Sequence, residues 1–166
     1  MPRSRSEIRA LSGRYPNAKP LMGSDATASA VARGLDGAYL AHLATHGRFR
    51  ADNPLFSSLE LADGPLTVYD LEQLGQCPEI LVLSACDTAL SGINPGDELM
   101  GVASAVFALG TRTLIASVAP VADHAAAELM IAFHQALAQG REPAQALALA
   151  GLEVPEAPGF ICLGTR

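Results

Sequence analysis

Ile80-Leu81-Val82-Leu83-Ser84 runs without a break into Ala85-Cys86-Asp87-Thr88. A short run that is apolar at every position suits a central parallel strand with helices on both faces. Downstream, a loop carries Gly92, Asn94, Pro95 and Gly96. Leu99, Val102, Val106 and Leu109 then recur at helical spacing, which predicts a helix over Asp97 to Leu109 that stops at Gly110. Thr113-Leu114-Ile115-Ala116-Ser117 reads as a second buried strand. Ala122 to Gln139 reads as a long amphipathic helix ending at Gly140, with Leu129, Met130, Phe133 and Leu137 on its core side. Pro143 opens a last helix to Ala150, and Phe160 to Leu163 forms a final edge strand.

Upstream, Tyr39-Leu40-Ala41-His42-Leu43-Ala44 has the length of a strand and halts at Thr45-His46-Gly47. Asp52-Asn53-Pro54 makes a turn. Ser58 to Leu61 and Leu66 to Val68, joined through Asp63-Gly64, predict a hairpin. A short helix follows from Tyr69 to Leu74. Ser24-Asp25 reads as the N-cap of a helix to Gly34, and Ile8 to Leu11 as a remnant of another. Alternation of strands with helices gives an α/β domain built on a mostly parallel sheet. Residues 1–23 then form an N-terminal remnant, and residues 24–166 the domain proper.

Composition bounds the function. Hydrophobic residues make up 49% of the 166, but only 5% are aromatic and Trp is absent, so the core must come from Ala, Leu, Val and Ile. A formal net charge of −6 argues against nucleic acid and against an anionic membrane surface. Arg3, Arg5, Arg9 and Arg14 put four of the eleven basic groups in the first fourteen residues, so the rest of the chain is more acidic still. No apolar run approaches the roughly 20 residues of a membrane-spanning helix. No apolar region follows the N-terminus as a secretory leader would require. Cys77, Cys86 and Cys162 are odd in number and have no paired spacing, which points to a reducing cytoplasm and free thiols.

His46 and Cys86 each follow the carboxyl end of an expected strand, and such ends gather active sites in parallel sheets. A thiol becomes a nucleophile when a neighbouring imidazole takes its proton. The N–H groups of Gly47 and Cys86 are the natural donors to a developing oxyanion. Against this stands the bland reading, since a lone cysteine is more often a small buried hydrophobe. The joint placement of the two residues is what favours chemistry. His42, four residues before His46, reads as a packed strand residue. No carboxylate or thiol at ligand spacing supports a metal, and no cofactor is implied.

The residues also carry a family resemblance. His42-Leu43-Ala44-Thr45-His46-Gly47 and the following Asp52-Asn53-Pro54-Leu55-Phe56-Ser57 resemble the histidine element of CHAT domains. These are caspase-like modules often attached to tetratricopeptide repeats. Leu83-Ser84-Ala85-Cys86-Asp87-Thr88 is similar to the family's nucleophile element, and Gly96-Asp97-Glu98-Leu99-Met100-Gly101 to its acidic helix start. The separation of forty positions from His46 to Cys86 is near the caspase separation of about 50.

The resemblance implies a caspase-like three-layer sandwich, with His46 as general base and Cys86 as nucleophile. It implies hydrolysis of a peptide bond in a protein or peptide, under control of repeats or another regulatory protein. Asp87 and Thr88 are candidates for contact with substrate, Asp87 favouring a basic side chain. The chain departs from the family at Val118 to Asp123, where a Trp is usual, and at Ala157 to Phe160, where aromatics are usual. The strands that open the family domain have no counterpart ahead of Ser4, which implies a domain truncated on that side. An inactive scaffold that keeps the fold is therefore the alternative to an endopeptidase. A thiol oxidoreductase is disfavoured by the lack of a Cys-x-x-Cys pair.

Overall fold

The computed structural model describes residues 2–48, 50, 53–84 and 95–164. Two small sheets organise them. The main sheet has the order β1 (Leu40–Leu43), β5 (Ile80–Leu83), β6 (Thr113–Ser117), β7 (Phe160–Gly164). β1, β5 and β6 are parallel, and β7 closes the far edge antiparallel to β6. The second sheet is antiparallel, in the order β2 (Gly47–Arg48), β3 (Ser58–Leu61), β4 (Gly64–Thr67). The β3–β4 pair is the expected hairpin; β2 is an addition that two residues could not signal in sequence.

Period-2 alternation divides the core. Leu81, Leu83, Leu114 and Ala116 face one side of the sheet. There they meet Val31 and Leu35 of α2 (Ala28–Leu35), Val68 and Leu71 of α3 (Val68–Leu71), and Leu99, Val102, Ala103 and Val106 of α4 (Pro95–Ala108). Ile80, Val82 and Ile115 face the other side. They pack on Leu129, Met130 and Phe133 of α5 (Asp123–Ala138) and on Ala146, Leu147 and Ala150 of α6 (Pro143–Glu153). The result is a helix–sheet–helix sandwich, as expected from the fully apolar β5, all four of whose residues are buried. α1 (Pro2–Ser12) packs on α5.

Helix starts differ from expectation: α1 begins at Pro2 rather than Ile8 and α4 at Pro95 rather than Asp97, and α2 and α3 are shifted by their caps. Gly23–Asp25 forms a single 3₁₀ turn, and the cap of α2 is Thr27, whose hydroxyl accepts the Ala30 N–H at 3.2 Å. Asp63 at the hairpin tip accepts the Ala28 N–H at 2.7 Å, so the free amides of α2 are met without Asp25. α3 begins at Val68 because Thr67 and Asp70 close a reciprocal capping box, and it ends at Leu71 rather than Leu74.

Candidate active site

The site grows from the pairing of β1 with β5. Leu43 stands opposite Leu83 in parallel register, and the Ser84 N–H donates to the Leu43 carbonyl at 2.9 Å. The two chains therefore leave the sheet side by side, at the same end. In sequence, β1 is followed by Ala44 and then Thr45-His46-Gly47, and β5 by Ser84 and then Ala85-Cys86-Asp87-Thr88.

His46 is fixed by its backbone. Its carbonyl accepts the Glu60 N–H of β3 at 2.8 Å. The Thr45 hydroxyl donates to the Glu60 carbonyl, and Arg48 Nε reaches Glu60 Oε1 at 2.9 Å. Glu60 thus holds the segment on three sides, with Gly47 buried opposite Leu59. The imidazole itself is half-buried. The bond between His46 and Glu60 makes Gly47–Leu59 a non-hydrogen-bonded pair of the antiparallel ladder, so the Gly47 N–H points away from β3.

Cys86, Asp87 and Thr88 lie outside the described residues, as does Asp52 of the expected turn. The other two thiols are described. Cys77 is 1% exposed beneath α3 and α4, and burial, aided by Asp36, pushes its pKa up. Burial likewise raises Cys162 on β7. A thiol held protonated is a poor nucleophile, which disfavours both as reactive groups.

His42 is a strand residue with both ring nitrogens engaged. Its Nε2 meets Glu7 Oε1 of α1 at 3.0 Å, and its Nδ1 meets His134 Nε2 of α5 at 3.0 Å. The Tyr15 hydroxyl lies 2.7 Å from His134 Nδ1. Sequence reasoning missed Glu7, Tyr15 and His134. The signal available was His134 itself, a polar residue inside the apolar stripe of α5 beside Met130 and Phe133. Among the described residues no group of three or more His, Cys, Asp or Glu could hold a metal ion. Among them too, no helix is long and apolar enough to cross a membrane.

A search of curated proteins returned no match. A family model described as CHAT domain matches residues 1–159 of the 166, a span that includes both strand ends and α1. Caspase-like cysteine peptidases share the sandwich found here, and the chain belongs to the CHAT domain family.

Proposed function

We propose that the domain is a cysteine endopeptidase in which His46 and Cys86 cut a peptide bond of a protein substrate. One observation carries this reading. Leu43 and Leu83 are paired neighbours, and His46 and Cys86 each lie three residues further along their own chains. Three residues reach at most roughly 10 Å, and neighbouring strands are about 4.8 Å apart. An imidazole and a thiol on two such tips can share a proton. The raised pKa values of Cys77 and Cys162 add support by disfavouring those two thiols as the nucleophile.

In this mechanism the His46 imidazole takes the Cys86 proton, and the thiolate attacks the scissile carbonyl carbon. The carbonyl π electrons move to oxygen, where the N–H groups of Gly47 and Cys86 donate to the oxyanion. As the oxyanion collapses, the C–N bond breaks and the imidazolium protonates the leaving amine. Water, deprotonated by the same imidazole, then attacks the thioester carbonyl; the C–S bond breaks, the acid product leaves, and the imidazolium returns its proton to the Cys86 thiolate. The outward direction of the Gly47 N–H suits its part. Asp87, next to the nucleophile, would favour a basic side chain in the substrate.

The test is a peptide carrying a thiol-reactive electrophile. Labelling is expected at Cys86, to be lost in Cys86→Ala, and to slow by about 10²–10⁴-fold in His46→Ala. Labelling that is indifferent to His46 ends the dyad. A folded protein that neither labels nor cleaves is a scaffold instead.

A further inference from the structure

Glu7, His42, His134 and Tyr15 form a continuous, largely buried chain of polar contacts from α1 through β1 to α5 and back to the turn after α1. Glu7 is 5% exposed and His134 1%. Nothing in the proposed peptidase mechanism uses them. We propose that this chain is a proton-sensitive latch, which docks α1 on the α5 face of the sandwich when His134 is neutral and releases it when His134 gains a proton.

The proton count supports one docked arrangement. The Tyr15 hydroxyl donates to His134 Nδ1, His134 Nε2–H donates to His42 Nδ1, and His42 Nε2–H donates to the Glu7 carboxylate. Every donor then has an acceptor and every hydrogen bond points the same way. A proton added to His134 breaks this order. Its Nδ1 must then donate toward Tyr15, and a charge is buried without a carboxylate beside it. The groups facing His134 are His42 from β1, Tyr15 and Arg14 from the turn, and the Phe133 ring on its own helix. Val82, opposite His42 on β5, is apolar. None of these supplies a negative charge, and Glu7 is spent on His42.

Of the side chains described in α1, Glu7 and Leu11 are buried and Ile8 and Ser12 half-buried. The polar chain is therefore a large part of what docks the helix.

The sign follows from the geometry. Burial, His42 and Arg14 hold the docked His134 at about 3, below its ordinary 6.5. The released form binds the extra proton between those values, so docking is strongest above pH 6.5 and weakens as pH falls below it. The linkage of one proton makes the opening equilibrium rise about tenfold between pH 7.5 and 5.5.

The test is segment-resolved hydrogen exchange on the full chain across that range, read as protection factors. Amides of Ile8 to Leu11 are expected to lose about tenfold in protection while those of β6 do not. His134→Gln should abolish this slope, because the side chain still bonds but no longer titrates. Equal loss in α1 and β6 would mean global unfolding and would overturn the latch. So would a flat profile, or a slope that survives in His134→Gln. If that variant fails to fold, the ¹⁵N-imidazole shifts of the wild type decide. Protonation of His134 in step with α1 opening supports the latch, and protonation with α1 still protected overturns it.

Discussion

His42 and His46 lie four residues apart, one inside β1 and one just past its end, and the fold treats them oppositely. His42 has spent both ring nitrogens, on Glu7 and on His134, in a largely buried site. His46 is held by its main chain and by Thr45, which leaves its half-buried imidazole outside the bonds that seat it. A histidine whose lone pair is already committed cannot take a thiol proton without breaking the fold. One that is positioned through its backbone can. The same residue type thus serves architecture at one position and is available for chemistry at the next.

The contrast predicts opposite costs for the same substitution. His42→Ala strands the Glu7 carboxylate and His134 Nε2 inside the protein, and is expected to cost about 3 kcal/mol. His46→Ala is expected to stay within about 0.5 kcal/mol of wild type. Urea denaturation measures both. A fall in m for His42→Ala would show that α1 has come away before the main transition, since less surface is then left to expose. Equal costs for the two variants would erase the distinction.

A smaller effect sharpens it. Thr45→Val keeps the shape of the side chain but loses the hydrogen bond to the Glu60 carbonyl. About 1 kcal/mol of stability is expected to go. The labelling rate of Cys86 is expected to fall by about tenfold, because the bond seats the residue next to His46. A rate unchanged by this loss would mean that Glu60 does not position the imidazole.

The layers of the fold were legible because their signal is local. Four apolar residues in β5 and the helical spacing in α4 each specify an element without help from elsewhere. The position of His46 just past β1 could be read for the same reason. The seating of His46 could not. β2 has two residues, and its pairing depends on Leu59 and Ser58, which are about a dozen positions away. The start of α2 was misplaced because part of its cap comes from Asp63, thirty-five residues downstream. Glu7 and His134 are separated by most of the chain and make sense only once α1 lies on α5. Side chains that meet through tertiary contact leave no period in the sequence. A polar residue in an apolar stripe is the most they show.

The smallest predicted effect concerns Arg48, the third contact to Glu60. Its Nε lies 2.9 Å from Glu60 Oε1, the same range as the buried contacts of His42, but the two side chains are 73% and 38% exposed. Water and salt screen such a pair, and holding two long side chains together costs entropy that offsets the attraction. Arg48→Ala is therefore expected to change stability by less than about 0.5 kcal/mol, and the Cys86 labelling rate by less than about twofold. The comparison with Thr45→Val separates two ways of placing His46, since both variants remove one contact to the same residue. If Arg48→Ala slows labelling as much as Thr45→Val does, the ion pair and not the backbone fixes the imidazole. In that case added salt should slow the wild type as well, because the screening that weakens the pair would then unseat the base.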